Sequence, residues 1–304
     1  MQTEATNTHN NQIASLENAA PLASTVFGWW RKDVPLEVSY AYWRDVHSIT
    51  VARAPGIYQY RLLHLAAHRS DLFSIDGINY TISDEDPHGV AEFLFLSPED
   101  LQTFGKSELI TKYVHKDEQK LCDRNITMSS KQGNACTYID RIGDIPNGEP
   151  AFPCFMVCLQ KADKINQEQF RQYLMQKVRD WSEQKQVMRS RLSLLEPFNQ
   201  SENSPCVSHE GEQVKNYQAW IELILQDEAI AKQLFDDQSA QYIKAIHTFA
   251  IVARYTMVYN GQPTVVGLRG YPAAQAIEQA GAEIQKSPEL LALIYGDVVQ
   301  GGNS

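Results

Sequence analysis

The second half of this chain repeats the first at a spacing of about 130 residues, and no other feature constrains its fold as strongly. Tyr40 and Trp43 correspond to Phe170 and Tyr173 at an offset of 130. Ser97, ahead of one helical pattern, corresponds to Asp227 ahead of another. Further on the offset is 129: Tyr113 meets Tyr242, and Thr127-Met128 meets Thr256-Met257. Solenoid units run to about 20–50 residues, so a period this long describes a duplicated domain. At 304 residues the chain has room for two domains with a sizeable core each.

Both copies present the same order of elements. In the first, TVFGWWRK reads as a strand. Leu36, Tyr40, Trp43, His47 and Val51 then take the spacing of one helical face, which Pro55-Gly56 ends. IYQYRLLHLAAH is a second strand and GVAEFLFL a third. Ser97-Pro98-Glu99 is an N-cap with proline at the first helical position, and NITMSS with ACTYIDRI closes the unit. The second copy offers strands at PCFMVCLQKA, VMRSRLSLLEPF and QAWIELIL, and helices at NQEQFRQYLMQKVRDWSEQ and DEAIAKQLFDDQSAQYIKAIH. It closes with TFAIVARYTMVYNGQPTVVGL, where Asn260-Gly261 signals a tight turn.

Each copy is thus β-α-β-β-α-β, the split βαβ or ferredoxin-like unit. Helices cover one face of such a unit, and two units in one chain bury the bare faces against each other. The expected architecture is α+β: two tandem ferredoxin-like repeats forming an intramolecular α/β-barrel pseudo-dimer. Its parts are a disordered tail (1–22), a first repeat (23–145), a second repeat (150–270) and a C-terminal helical extension (271–304). The linker GDIPNGEPAFP is Pro/Gly-rich, as a junction should be.

Composition works by exclusion. A net charge of -10 without a Lys/Arg cluster argues against nucleic acid or an anionic membrane as partner. No apolar run approaches the roughly 18 residues of a membrane span. The N-terminus has neither the basic start nor the apolar core of a secretory signal. Five cysteines without metal-type spacing read as free thiols and a cytoplasmic location.

Tyr42-Trp43-Arg44-Asp45-Val46-His47, the Pro55-Gly56 stop, Tyr60, and Gly89-Val90-Ala91-Glu92-Phe93 ahead of Ser97-Pro98-Glu99-Asp100 resemble, in order and spacing, the EthD-domain family. The resemblance spans most of residues 25–140. It implies the dimeric α/β barrel superfamily, whose members include monooxygenases, polyketide cyclases and dehydratases, and haem enzymes such as chlorite dismutases and Dyp-type peroxidases. His88 departs from the family's Asp before the third-strand Gly. The helix histidine occurs once, because His47 aligns with Lys177. Chemistry that needs it is therefore expected within residues 25–140.

The candidate residues follow. His47 is either a buried, hydrogen-bonded core histidine or a general acid/base, for which an imidazole suits neutral pH. Strand alternation puts Tyr58, Tyr60, Leu62 and His64 on one face, expected to line the barrel interior, with Gln59, Arg61 and Leu63 on the other. Tyr60 or His64 would hold a developing oxyanion. Glu92 and its counterpart Glu222 read as structural ion-pair members, or Glu92 as a partner of His47 or substrate. Trp29, Trp43 and Tyr58 serve the core or stack on an aromatic ligand. The resulting expectation is a cofactor-independent enzyme with no metal, acting by dehydration, cyclisation or oxygenation on a small apolar, aromatic or polyketide-like molecule. The alternatives are a non-catalytic ligand-binding or accessory protein and a haem-binding barrel with His247 as axial ligand. A homodimer is a candidate assembly.

Overall fold

Runs of β-branched and aromatic residues bounded by Pro, Gly and Asn lay down the strands. The computed structural model describes residues 13–82, 84–143 and 145–296. Its strands are β1 (Leu22–Trp30), β2 (Gln59–His68), β3 (Gly89–Phe95), β4 (Cys122–Ser130), β5 (Ala135–Asp140), β6 (Asn147–Gly148), β7 (Cys154–Lys161), β8 (Val187–Leu194), β9 (Ala219–Leu225), β10 (Ile243–Tyr259) and β11 (Gln262–Pro263). They form one antiparallel sheet in the order β4-β1-β3-β2-β10-β7-β9-β8-β5, with β6 and β11 both on β10. The molecule is therefore α+β around a large antiparallel sheet.

The helices are α1 (Leu36–Tyr42), α2 (Pro98–Lys106), α3 (His115–Leu121), α4 (Gln167–Glu183), α5 (Val265–Arg269), α6 (Tyr271–Gln279) and α7 (Pro288–Tyr295). Side chains set their starts. Ser97 caps α2 by accepting from the Asp100 N–H at 3.0 Å, with Pro98 in the first turn. Asn166 and Gln169 close a capping box on α4. Two helices widen into single π turns: α1 continues through Trp43–His47 into Ser48–Val51, and Leu109–Val114 leads into α3. Such π turns frequently sit at functional sites, and both of these flank the cavity described below.

The sheet curls. β3 and β8 lie five places apart in the strand order, which in a flat sheet would separate them by roughly 24 Å. Yet Arg191 of β8 donates from Nε to Glu92 of β3 at 2.9 Å, and Arg61 of β2 reaches Glu222 of β9 at 3.0 Å. A backbone bond from the Glu196 N–H, just past β8, to the Ser129 carbonyl of β4, 2.8 Å, ties the two ends together.

Inside the curl lies a charge cluster. Arg61, Arg189, Arg191 and Arg254 meet Glu17, Glu92, Glu222 and Asp140, all 5% exposed or less. Four positive and four negative groups balance, which is the condition for burying them at all.

Several expectations change. The reading of 1–22 as a disordered tail fails for its described part: residues 13–18 are helical, and Glu17 is buried with Arg189 Nη2 on both carboxylate oxygens at 2.8 Å. Residues 1–12 lie outside the described residues, as do 297–304 of the C-terminal extension. The expected helix over residues 227–247 is replaced by two short 3₁₀ turns, Glu228–Gln233 and Asp237–Gln241, before β10 begins at Ile243. His247 is accordingly a strand residue. The C-terminal helices begin at Val265 rather than 271, and they lie on α1: the Tyr271 N–H donates to Asp45 at 2.9 Å. Asn260 (φ 50°) and Gly261 (φ 76°) form the expected turn between β10 and β11. No helix among the described residues is long and apolar enough to cross a membrane.

Candidate active site

Between the outer face of β1-β3-β2 and the helices of the first half lies a cavity of about 460 Å³. Its apolar wall includes Val26, Phe93, Leu101, Phe104, Ile110 and Val114. Its other wall is the polar face of β4, Asn125, Thr127 and Ser129 at i, i+2, i+4, together with Ser201–Ser204. That loop is held to β4 by the Thr127 N–H donating to Asn203 Oδ1 at 2.7 Å and the Asn125 N–H to the Ser208 carbonyl at 3.0 Å.

Two facing glycines make the floor. Gly28 and Gly89 pair across β1 and β3. A Cβ on Gly89 would sit 2.6 Å from Trp43 Cζ3, and one on Gly28 would sit 2.7 Å from Trp30 Cζ3. Both indoles therefore press against bare backbone, 4.7 Å apart at their ring centres and tilted by 53° to each other. Gly89→Ala should displace the Trp43 ring and cost about 1–3 kcal/mol. A thermal melt with tryptophan fluorescence as the probe will show a lowered midpoint and altered native emission.

The π turn in α1 presents His47 to the cavity. Its Nδ1–H donates to Asp117 Oδ2 at 2.8 Å, and the Tyr42 hydroxyl donates to the other Asp117 oxygen. The His47 bond holds the Asp117 carboxyl below its ordinary range, burial opposes, and Tyr42 adds to the lowering. Asp117 thus fixes the tautomer and leaves Nε2 as the ring's free basic atom. Glu118 also lines the cavity. Burial raises its carboxyl, against the Ser204 hydroxyl, which donates to it, and the neighbouring His47. Tyr60 completes the set: its hydroxyl shares a 2.8 Å bond with Ser48, its ring stacks on Phe93 at 4.3 Å, and burial pushes its phenol well up.

Of the seven residues singled out from sequence, His47, Tyr60 and Trp43 meet at this cavity, and the other four do not. His64 is sandwiched between Tyr40 (4.5 Å) and Trp43 (5.0 Å), and burial drives its pKa down to about 3. It is a neutral spacer behind the cavity wall. Trp29 points to the opposite face of β1, under Arg124 at 4.2 Å. Tyr58 packs with Ala20, Ala23, Leu94 and Ala135. Glu92 belongs to the buried charge cluster, in line with the ion-pair reading, and is absent from this cavity's lining. The Tyr/His face of β2 is therefore the helix-facing side, and Arg61 and Gln59 face the interior of the curl. Nor is the site confined to residues 25–140, because Ser201–Ser204 wall it and Ser204 bonds Glu118.

Residues 32–125 match the model of the EthD domain. This segment is similar to an EthD domain. It supplies His47, Tyr60, Asp117, Glu118 and Asn125, while the Ser201–Ser204 wall comes from outside it. No curated protein matches the chain. Among solved structures, a protein named as a putative monooxygenase from Lactobacillus acidophilus NCFM is similar at 7% identity and a TM-score of 0.45, covering 79% of this chain and 97% of its own. An anthrone oxidase-like protein is similar at 11% identity and 0.43, covering 79% and 94%. A novel heme-binding protein from Thermus thermophilus follows at 12% and 0.33, covering 76% and 90%.

The expectation of a cofactor-free protein is corrected to this extent: the last of these structures is named as heme-binding. His247, the residue first considered for that role, does not fit it: Tyr217 bonds its Nδ1 at 2.9 Å, burial lowers its pKa to about 4, and it is absent from the cavity lining. His47 does fit, as an imidazole on the cavity wall with a carboxylate behind its Nδ1.

Proposed function

We propose that the EthD-domain cavity is the active site of an enzyme that moves a proton next to a carbonyl or phenol of a small apolar or aromatic molecule. The observation that carries this reading is the Asp117–His47 dyad at the wall of a largely apolar cavity. His47 Nε2 takes the proton from the carbon or phenol, and Asp117 stabilises the imidazolium. Tyr60 is the donor available to the oxygen that becomes negative, and Glu118, whose carboxyl burial raises, stands on the same lining. The resulting anion can expel hydroxide, which His47 protonates to water, attack an internal carbonyl, or be oxidised by dioxygen. These are dehydration, cyclisation and oxygenation.

The test is to identify by mass any small molecule retained through purification and to follow its conversion. Conversion by wild type and not by His47→Ala supports the assignment. Equal conversion by both rejects it, and retention without conversion by either favours a carrier.

A second reading has its own observation. The carboxylate-backed imidazole suits a haem ligand, so a haem here would be held by His47 and would supply redox chemistry. Titrating the protein with haemin will then give a Soret band that His47→Ala alters and His247→Ala leaves unchanged. An unperturbed haemin spectrum rejects this reading.

We also propose that the two halves are diverged copies of one unit, with the boundaries 23–145 and 150–270 expected from sequence. Two features support it. The runs β4-β1-β3-β2 and β10-β7-β9-β8 have the same succession. Arg61 and Arg191, like Glu92 and Glu222, stand 130 residues apart, and each arginine pairs with the glutamate of the other half.

A further inference from the structure

Two polar atoms on residues of the cavity-facing side of β1 and β4 are buried and have no protein partner: Trp30 Nε1 and Asn125 Oδ1. Their residues are 4% and 5% exposed. Leaving a buried donor or acceptor unmet is costly, and native proteins leave few of them. A donor and an acceptor together at one end of the cavity point to a ligand that meets them.

Their placement describes that ligand. Exposed lining residues, Gly105, Lys131 and Ser201, mark the mouth, and the buried Trp30, Trp43 and His47 mark the inner end. In the β1–β4 register Asn125 faces Gly28, two residues from Trp30. Trp30 and Asn125 therefore belong to the inner end, with Phe93 and Phe104 along the apolar wall. The ionisable groups at the lining have partners of their own: Lys131 pairs with Glu202 at 3.2 Å, His47 with Asp117, and Glu118 accepts from the Ser204 hydroxyl.

We infer that the cavity takes an uncharged, mostly apolar molecule that enters oxygen first. Its leading carbonyl or phenol oxygen accepts from Trp30 Nε1–H, and a phenol hydroxyl there also donates to Asn125 Oδ1. The inference rests on the cavity being the ligand site proposed above, and it adds which end reaches His47. It also makes Trp30 and Asn125 specificity determinants that act in binding rather than in proton transfer.

The test compares 2-acetylnaphthalene with 2-isopropenylnaphthalene, which has the same shape with C=CH₂ in place of C=O. Binding to the full chain is measured by calorimetry. Wild type should bind the ketone about tenfold tighter, the equivalent of one hydrogen bond. Trp30→Phe should bring the ratio to about one. His47→Ala should keep it, so failure of the acid–base reading would leave this result standing. If Trp30→Phe does not fold, the indole N–H resonance of Trp30 in wild type decides: it should move downfield with the ketone and not with the alkene. Equal affinities in wild type, an undiminished preference in Trp30→Phe, an unmoved indole resonance, or no binding of either probe overturns the inference.

Discussion

Replacing His47 with alanine should lower turnover by about 10²–10⁴-fold, the usual contribution of a positioned general acid/base, and should leave ligand binding nearly intact. His47 is 7% exposed, and its side chain is hydrogen-bonded to Asp117. The loss should therefore appear in kcat rather than in KM. Asp117→Asn is the companion variant. It keeps the shape but lets the amide oppose the required tautomer, so it should also slow the reaction while the histidine remains. If both variants retain full rate on a substrate that the wild type converts, the dyad is structural. Rate against pH, fitted for wild type and Asp117→Asn, separates a lost base from a lost fold.

The second large effect is on stability. Glu222 is fully buried and meets Arg61 at 3.0 Å, Arg189 at 2.9 Å and Arg254 at 2.7 Å. Glu222→Ala leaves those guanidinium groups with one carboxylate too few in a site that water does not reach. Breaking a buried pair costs about 3–5 kcal/mol, and here three partners are stranded at once. The expected result is a melting temperature lowered by ten degrees or so, or a failure to accumulate folded protein. Replacement of an exposed pair such as Lys112–Glu108 should change little.

The same cluster sets the acid limit. Burial alone would raise Glu17, but Arg189, Arg61, Arg191 and the Thr137 hydroxyl outweigh it and hold its pKa at about 2, against 4.5 in the unfolded chain. A depressed folded pKa means that the carboxylate's stabilisation is complete above pH 4.5 and is lost as pH falls towards 2. Circular dichroism across that window should show unfolding in wild type, and Glu17→Gln should be destabilised already at neutral pH.

The elements were largely legible because their signals are local. Caps, the Asn260-Gly261 turn and the alternation along Tyr58–His64 each depend on a few neighbouring residues. Alternation separated Tyr60 and His64 from Arg61 correctly, but a period of two does not say which face meets the helices. The arginines and glutamates decide that, since only a closed interior pairs Arg61 with Glu222 and Arg191 with Glu92 across the curled sheet. The missing helix near His247 has a similar cause: β10 must run its whole length beside β2 and β7, and pairing overrides local propensity. Asp117 and Glu118 sit in HKDEQK, which by composition is a solvated helix face. Only the fold puts Asp117 behind His47, 70 residues earlier, and only the loop of the second half puts Ser204 on Glu118.

The measurement closest to the central claim follows a proton without needing the natural substrate. 2-Tetralone, an aromatic ketone with an acidic C1–H, is incubated in D₂O with the protein, and loss of the C1 proton signal is followed by NMR. If His47 Nε2 removes that proton and returns a deuteron, wild type will speed exchange well beyond buffer, and His47→Ala will be slower by about a hundredfold or more. Exchange at the same rate with wild type and His47→Ala would contradict His47 as the proton carrier.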